Sequence, residues 1–356
     1  MTTIAPMTLT TEATPVLAQH RFDEPRLAQY LRAHLEGFTP PLNIMQTQGG
    51  MSNPTFILTD GGGKRYVMRK KPPGKLLPSA HAVDREFRAI SALGPTNVPV
   101  AQARILCQDP TVVGTDFYIM AFVEGRVFRA QTLPDMVPAK RGKIYEAMVD
   151  TLAKLHAVDF RTVGLEDYGR VGGYLTRQVQ RWSQQYEASK TDDLPAMDNL
   201  IKWLPSHIPD DSETTIAHGD YRLENLIFHP TEPRVLAVID WELGTLGAPL
   251  SDLAYNCLPY YVADPTRGDM TNLDYANYGI PSEKEYVARY CTQTGRKEIP
   301  HWNFYVILSL FRLAAISQGV YKRGLEGNAA SPEAVLRRDR CRVLAETGWA
   351  LVEKGF

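Results

Sequence analysis

The chain has 356 residues, of which 44% are hydrophobic and 22% are charged, and its formal net charge is −1. The composition fits a globular protein. The net charge excludes the overall positive charge that is expected of a general nucleic-acid-binding domain. Four cysteines without CxxC spacing indicate neither a zinc site nor a disulfide framework, and we see no membrane span or signal peptide. We therefore expect a cytoplasmic protein with no nucleic-acid or membrane partner; its oligomeric state is left open.

The pattern of residue types divides the chain into three parts. Residues 1–20 are expected to form a flexible leader, residues 21–124 a small lobe built on an antiparallel sheet, and residues 125–356 a mostly helical lobe. We therefore predict an α+β fold with two lobes.

The small lobe is predicted to contain a hairpin, a helix and a buried strand, in that order. The runs TFILT and RYVMRK flank Gly61–Gly63, a turn signal between two strands. A helix is predicted from a cap at Ser79 to the stop at Gly94, with Val83, Phe87 and Ile90 on one stripe. The run TDFYIMAFVEG then predicts a buried strand that ends at a glycine.

The helical lobe contains one short β-rich island. Helical spacing is seen in RGKIYEAMVDTLAKLHAVD and in WNFYVILSLFRLAAISQGVYKRG. Between these helices, IAHGDYRLENLIF and RVLAVIDWELG are separated by the turn-like HPTEPR, which predicts a small hairpin.

Three oxygen-bearing side chains are expected to converge at one end of this hairpin. Asn225 begins one arm, Asp240 ends the other, and Asp220 lies on the loop just before. Oxygen ligands suit Mg²⁺, which usually takes one or two protein ligands and completes its shell with water and substrate phosphates. A nearby free Asp can orient a hydroxyl and accept its proton. Phosphoryl transfer from ATP requires this combination.

The motifs HGDYRLEN and VIDWE resemble those of the aminoglycoside phosphotransferase-like family, which includes choline kinase-like proteins and is related to protein kinases. The resemblance covers most of the chain from Asn43 onward and implies a two-lobed, protein-kinase-like fold that binds ATP. By this resemblance, Asp220 is the catalytic base, Asn225 and Asp240 are the Mg²⁺ ligands, and His218 supports the loop. The alternative is that Asp220 and Asn225 only cap turns.

The small lobe should supply the nucleotide clamp. The stretch QGGMSNPTFIL places four residues before a strand: Gly49, Gly50, Ser52 and Asn53. The backbone N–H groups of this loop could lie over phosphates. An ordinary surface turn would have the same sequence pattern.

Arg69 is the candidate side chain for the α- and β-phosphates. Strand alternation sets Val67 and Arg69 on one face and Lys70 on the other. Protein kinases have Lys at this position, whereas several small-molecule kinases of the superfamily resemble this chain in having Arg. Glu86 is the expected ion-pair partner of Arg69. The alternative is that Glu86 is a solvent-exposed charged residue on the helix surface. A register shifted by one residue would give the role to Lys70.

The resemblance also implies a hinge strand in IMAFVEG. Ala121 and Val123 would make main-chain hydrogen bonds to adenine, and Met120 would pack behind the ring. A plain core strand would have the same sequence.

Asp240 is followed closely by GAPLSDLAYN, the next predicted helix, which leaves no room for the peptide-docking segment of a protein kinase. A small hydroxylated acceptor is therefore favoured. Asp252 resembles a family residue that braces the catalytic loop, or it is an ordinary carboxylate at a helix start.

The acceptor site is the least explicit part of the sequence. Aromatic residues that could line it, or could equally be core, are Tyr255, Tyr260, Tyr261, Trp302 and Tyr305. Cations that could bind an anionic acceptor, or could be solvated surface, are Lys71, Lys75, Arg312, Lys322 and Arg323. The pattern RKKPPGKLLPSAHAVDRE resembles the kinase-like domains fused to some acyl-CoA dehydrogenases, which makes a hydroxyacyl-CoA or another acidic alcohol the preferred acceptor.

Two alternatives to this phosphotransferase are kept. One is a nucleotide-binding regulatory module of the same fold without turnover, and the other is an aminoglycoside or amino-alcohol kinase. The presence of Asp220, Asn225 and Asp240 together argues against the regulatory module.

Overall fold

The computed structural model describes residues 7–8, 13–47, 53–72, 82–264, 266–327 and 332–355. Its strands are, in chain order, β1 Met7–Thr8, β2 Ala13–Thr14, β3 Asn43–Thr47, β4 Thr55–Thr59, β5 Arg65–Lys70, β6 Ala103–Cys107, β7 Phe117–Ala121, β8 Arg126–Val127, β9 Thr215–Ala217, β10 Leu226–Phe228, β11 Val235–Val238 and β12 Thr245–Gly247. Its α-helices are α1 Glu24–His34, α2 Val83–Leu93, α3 Pro110–Val113, α4 Pro138–His156, α5 Tyr174–Ser189, α6 Pro195–Trp203, α7 Pro249–Asn256, α8 Tyr275–Tyr278, α9 Glu283–Thr294, α10 Trp302–Leu325 and α11 Arg337–Glu353.

The chain divides into two compact units. Unit 1 comprises residues 1–128, 162–165 and 223–244, and unit 2 comprises residues 129–161, 166–222 and 245–356. The predicted boundary between the lobes, at residue 124, lies close to residue 128, where the chain first leaves unit 1. The return of residues 223–244 to unit 1 was not predicted.

Unit 1 is built on a six-stranded antiparallel sheet of order β2-β3-β4-β5-β7-β6. The predicted hairpin is confirmed as β4 and β5, and its turn is fixed by Asp60, whose Oδ1 accepts from the amides of Gly62 and Lys64 at 3.0 and 2.8 Å. Apolar side chains of the sheet pack with Leu27 and Leu31 of α1 into a single core.

The predicted leader partly joins this sheet. Ala13–Thr14 pairs with β3, and the amide of Leu17 donates to Oε1 of Gln46 at 3.1 Å. The sequence pattern missed these contacts because a two-residue strand has too few residues to show an alternation of apolar and polar side chains.

The described part of the predicted helix after β5 is α2, which ends before Gly94 as expected. Its predicted cap, Ser79, lies outside the described residues. Val83 and Ile90 are buried as predicted, while Phe87 is half-buried. Glu86 is fully buried on this helix, which an apolar-stripe pattern does not predict.

Unit 1 also contains a second, four-stranded sheet of order β1-β8-β10-β11. The predicted hairpin of the β-rich island is confirmed as β10 and β11, in which Leu226 pairs with Val238. Gly125 lies tightly against this sheet, because a Cβ at this position would meet the carbonyl oxygen of Phe228 at 2.3 Å.

Unit 2 is mostly helical, and its two-stranded sheet pairs β9 with β12. Helix α10 is long and apolar enough to cross a membrane by length and composition, but 67% of its most apolar window is buried inside the chain. A core helix of a globular protein has the same property. The observed elements agree with the predicted α+β class, with the antiparallel sheet in the first half and the helices in the second.

Candidate active site

Asn225 and Asp240 are brought together by the β10–β11 hairpin. Asn225 directly precedes β10, and Asp240 is the second residue after the end of β11. The amide of Ile239 donates to the carbonyl of Asn225 at 2.9 Å, so the two residues lie at the same end of the hairpin, as predicted. The hairpin thus brings a residue with a carboxylate and a residue with a carboxamide, two groups that suit a hard cation, to the same end.

The backbone of Asp240 has an uncommon conformation. Its φ of 67° lies in the left-handed region, which Asp tolerates better than most residues. The next residue, Trp241, is buried and donates from Nε1 to the carbonyl of Val238 at 3.0 Å. A strained conformation held by neighbouring packing is typical of functional sites.

Arg69 links Asp240 to the six-stranded sheet. Its Nη1 lies 2.6 Å from Oε2 of Glu86, and its Nη2 lies 3.1 Å from Oδ1 of Asp240, 171 positions later in the chain. The predicted ion pair with Glu86 is therefore present. Burial opposes the charge on Arg69, but Glu86 and Asp240 attract it and raise the pKa of the guanidinium above its ordinary value.

Glu86 receives further hydrogen bonds in this buried position. The hydroxyl of Tyr118, which pairs with Arg69 across the sheet, donates to Oε2 at 3.1 Å, and Nδ2 of Asn53 donates to Oε1 at 2.8 Å. Burial raises the pKa of Glu86, and Arg69 and these donors oppose that effect. The carboxylate is thus held by donors on several sides.

Lys70 lies on the opposite face of β5, as alternation predicts. Its Nζ donates to the carbonyl of Val113 at 3.2 Å and lies 5.2 Å from the centre of the Phe22 ring. Burial lowers the pKa of Lys70. Of the two candidate cations, Arg69 is the one beside Asp240.

The structure describes only some of the other residues that were predicted to contact the nucleotide. Gly49, Gly50 and Ser52 lie outside the described residues. The side chain of Asn53 is turned inward to Glu86 and does not lie in a surface loop.

The hinge prediction at Ala121 can be stated more narrowly. Its amide donates to the carbonyl of Gln102 at 2.8 Å, as part of the pairing of β7 with β6. A main-chain bond from Ala121 to adenine could therefore use only its carbonyl. Val123 follows the end of β7, where the described residues provide its amide with no partner.

In unit 2, Asp220 lies on the loop that follows β9. The loop is held by Asp252 of α7, whose two carboxylate oxygens accept from the amides of His218 and Gly219 at 2.5 and 2.8 Å. Asp252 thus braces the loop, as predicted. Burial alone would raise its pKa, but His156, with Nε2 at 3.5 Å, and the amide of Gly219 lower the pKa of Asp252.

His218 supports the loop from inside, as predicted. It is completely buried, and its Nδ1 accepts from the amide of Asp220 at 3.2 Å. The side chain of Asp220 is 16% exposed and lies 3.2 Å from Nε of Arg222. Burial, followed by the charge of Asp220, raises the pKa of the Tyr255 phenol.

Arg312 has a different place from the one predicted. It was a candidate ligand for an anionic acceptor, but its Nη2 donates to the carbonyl of Gly219 at 2.7 Å and its guanidinium lies 5.2 Å from the centre of the Tyr255 ring. Sequence alone cannot distinguish a cation that holds a loop from one that faces a ligand. Arg312 therefore stabilises the backbone beside Asp220.

The remaining predicted acceptor residues have internal partners or lie at the surface. Lys71 pairs with Asp116 at 2.7 Å, Lys322 donates to the carbonyl of Ala188, and Arg323 is exposed. Lys75 lies outside the described residues.

The predicted aromatic lining is mostly tied to the surrounding structure. Tyr261 and Trp302 both donate to Glu283, Tyr260 donates to the carbonyl of Pro281, and Tyr305 is buried. Tyr255 differs from these residues, since the charge of Asp220 contributes to its raised pKa.

The residues fit the predicted ligand set for Mg²⁺. Within the described residues, no group of three or more His, Cys, Asp and Glu side chains is gathered in a way that could hold a metal ion. A magnesium site made of one carboxylate, one carboxamide and substrate phosphates needs no such group.

Comparison with known proteins assigns the family. Residues 43–288 match the family model described as APH, the phosphotransferase enzyme family. Acyl-CoA dehydrogenase family member 11 from Homo sapiens is 47% identical over 349 residues, which is 96% of this chain but 44% of that protein. The chain thus spans less than half the length of the curated relatives it matches.

Solved structures agree in fold. A candidate aminoglycoside phosphotransferase from Ralstonia eutropha is 48% identical, with a TM-score of 0.87 and coverage of 94% of this chain and 99% of that one. An ethanolamine kinase from Plasmodium vivax is 15% identical, with a TM-score of 0.59 and coverage of 89% and 85%, a likeness of fold alone. The predicted kinase-like fold is confirmed, and the chain belongs to the APH phosphotransferase enzyme family.

Proposed function

We propose that the chain is an ATP- and Mg²⁺-dependent phosphotransferase that phosphorylates a hydroxyl group of a small molecule. The observation that carries this proposal is the contact of Asp240 with Arg69. It joins the IDW motif to the phosphate-binding candidate of the sheet over 171 positions.

In this reaction, Asp220 orients the acceptor hydroxyl and accepts its proton. The acceptor oxygen attacks the γ-phosphorus of ATP, a new O–P bond forms, and ADP leaves with the electron pair of the broken bond. Asn225 and Asp240 would hold Mg²⁺, which, when bound, neutralises charge on the phosphate oxygens. Arg69 supplies a fixed positive charge to the donor phosphates, so catalysis comes mainly from positioning and charge neutralisation.

The acceptor class is the finer part of the proposal. The named relatives are acyl-CoA dehydrogenase family members, which supports a hydroxyacyl-CoA-like or other anionic alcohol. The likeness to an ethanolamine kinase concerns fold alone and supports no amino-alcohol acceptor.

The test is ADP release by the purified protein with Mg-ATP, measured against aminoglycosides, amino alcohols, sugars and hydroxyacyl-CoA compounds. Asp220→Asn is the blank, because it removes the proposed base but no proposed metal ligand. We expect turnover with one acceptor class and a loss of several orders of magnitude in the blank. Tight ATP binding without turnover on any acceptor would favour the regulatory module, and equal turnover in both proteins would exclude Asp220 as the base.

A further inference from the structure

Unit 2 contains a cavity of about 60 Å³, lined by residues of α7, α10 and α11 and of the segments around residues 131 and 264. Because one water molecule needs roughly 10–15 Å³ of such space, the cavity can hold a few waters or a short ligand group of similar size. Part of its wall is apolar and is formed by Leu258, Val262 and Leu344, which are all buried. A wall of this kind suits the uncharged part of a small molecule.

Two carboxamides, those of Asn256 and Gln131, lie in the wall of the cavity. The carboxamide of Asn256 is engaged at both ends. Its Nδ2 donates to the carbonyl of Tyr221 at 3.3 Å, and its Oδ1 accepts from the hydroxyl of Tyr286 at 2.5 Å. Asn256 is therefore already satisfied by the surrounding structure and has a structural role.

Gln131 is equally buried, at 7% exposure, but its hydrogen bonds involve the backbone alone. Its amide donates to the carbonyl of Arg267 at 2.6 Å, and its carbonyl accepts from the hydroxyl of Tyr145 at 2.6 Å. Within the described parts of the chain, no hydrogen bond to its side-chain carboxamide is found. A buried carboxamide without a partner costs free energy, which a ligand that supplies the partner recovers.

The charged side chains on the far wall of the cavity are engaged with one another. Nη1 of Arg267 lies 3.8 Å, and Nη2 of Arg340 lies 3.7 Å, from Oδ2 of Asp264, and Nη1 of Arg340 donates to the carbonyl of Ala263 at 2.7 Å. A charged ligand group would have to displace these contacts. An uncharged carbonyl or amide group can pair with Gln131 and leave them in place.

The cavity adjoins the proposed base through Arg222. This side chain lines the cavity, and its Nε lies 3.2 Å from Oδ2 of Asp220. The cavity and Asp220 thus share a neighbouring side chain. A molecule that presents a hydroxyl to Asp220 can extend past Arg222 into the cavity.

We infer that the cavity binds the carbonyl-bearing end of the acceptor and that Gln131 determines specificity for it. The Gln131 carboxamide donates to the carbonyl oxygen of an ester, thioester or amide, and the short apolar chain beside that carbonyl lies against Leu258, Val262 and Leu344. The inference rests on the proposed function. It narrows the acceptor to a hydroxyacyl derivative in which the carboxyl group is uncharged.

The first arm of the test measures binding without nucleotide. Hydroxybutanamide, with its hydroxyl at the end of the chain, is titrated by ligand-observed NMR against the wild type, Gln131→Leu and Gln184→Leu. Butanediol, which has no carbonyl, is the reference ligand. Gln184 is the matched control, because it is an exposed glutamine on α5 of the same unit. The melting temperature of each protein shows whether it is folded.

We expect Gln131→Leu to weaken the binding of hydroxybutanamide about 10- to 100-fold, because it removes the donor to the carbonyl. Binding of butanediol should not change, and Gln184→Leu should match the wild type with both ligands. If Gln131→Leu does not fold, Leu313→Phe tests the cavity from α10, where Leu313 is partly buried in its wall, and should weaken both ligands. Hydroxybutanamide that binds the wild type and Gln131→Leu equally, or binds neither, shows a cavity that holds water only and overturns the inference.

The second arm measures kcat/KM with Mg-ATP for a hydroxyacyl thioester, the matching hydroxy amide and a diol of the same chain length. We expect Gln131→Leu to lose about 10- to 100-fold on the two carbonyl compounds and to keep the wild-type value on the diol. A loss on the amide alone assigns the cavity to amides, and a loss on the thioester alone assigns it to thioesters.

The failure of the inference and the failure of the proposed function give different results. Turnover that Gln131→Leu leaves unchanged on every acceptor overturns the inference but leaves the proposed function standing. Binding of hydroxybutanamide that depends on Gln131, without turnover on any acceptor, supports the site and counts against the proposed function.

Discussion

At the residue scale, Arg69 and Glu86 form an ion pair whose side chains are only 8% and 0% exposed. Removing one partner of such a pair leaves an uncompensated charge in a place that water does not reach. The contact therefore has a stability role that is separate from any role in binding phosphates.

We expect Arg69→Met to destabilise the protein by about 3–5 kcal/mol, whereas adding Glu86→Leu should restore part of that loss. Urea unfolding of the two single variants and the double variant measures the coupling. Glu124→Gln is the control, because its partner Arg65 forms an exposed pair that is worth at most about 1 kcal/mol. Strictly additive effects of the two substitutions would show that the pair is not coupled.

Asp240 is the residue on which the metal assignment depends. Asp240→Ala should remove the Mg²⁺-dependent part of ATP binding, because it removes a proposed ligand while Glu86 still pairs with Arg69. Isothermal titration calorimetry with and without Mg²⁺ measures this difference. Asp220→Asn is the matched control and should keep the full dependence; ATP affinity that is independent of Mg²⁺ in the wild type would contradict the assignment.

At the scale of the elements, Gly125 lets β8 approach β10. A Cβ at this position would lie 2.3 Å from the carbonyl oxygen of Phe228 and 2.5 Å from Cγ2 of Ile227. We expect Gly125→Ala to destabilise the protein by about 1–3 kcal/mol, the usual cost of overpacking. Gly94→Ala is the control, because its Cβ would meet neighbours at 3.4 Å or more. Equal melting temperatures for the two variants would show that β8 is free to move away.

The bracing of the loop at His218 and Gly219 by α7 should depend on pH. The pKa of Asp252 is lowered in the folded chain, so its carboxylate contributes stability above the unfolded-state pKa of about 3.9, and that stability is lost as pH falls towards the folded-state pKa. Asp252→Asn should cost on the order of 3 kcal/mol at neutral pH and reduce the loss of stability on acidification.

Urea unfolding between neutral and acidic pH measures this effect. Asp339→Asn is the control, since Asp339 also lies in the first turn of a helix but is 84% exposed. If Asp252→Asn loses as much stability on acidification as the wild type, the carboxylate does not carry the effect.

The elements that the sequence predicted well are those with a strong local pattern. The β4–β5 hairpin followed from its glycine turn, and the ends of the β10–β11 hairpin followed from apolar runs around HPTEPR. The inward turn of Asn53 and the place of Arg312 beside Gly219 could not be predicted in this way. Both depend on contacts between segments distant in sequence, which a pattern of residue types does not encode.

At the scale of the whole molecule, the chain passes from one unit to the other inside the HGDYRLEN motif. Asp220 belongs to unit 2, whereas Asn225 and Asp240 belong to unit 1. Within HGDYRLEN, the proposed base and the first proposed metal ligand are thus parts of different compact units. The sequence did not predict that division, since periodicity reports local structure only.

The curated relatives are more than twice the length of the matched region, and their names refer to acyl-CoA dehydrogenases. What those whole proteins do therefore enters here only as support for the proposed acceptor class. The acceptor has to be identified by experiments on the chain itself.

The most direct test is transfer of a labelled phosphoryl group. The purified protein is incubated with Mg²⁺, γ-phosphoryl-labelled ATP and a hydroxylated acid or its coenzyme A thioester, and the products are analysed by mass spectrometry. Our account predicts the label on the acceptor hydroxyl, in an amount equal to the ADP formed, and no labelled acceptor with Asp220→Asn. Label found only in free phosphate, or equal labelling by wild type and Asp220→Asn, would contradict it.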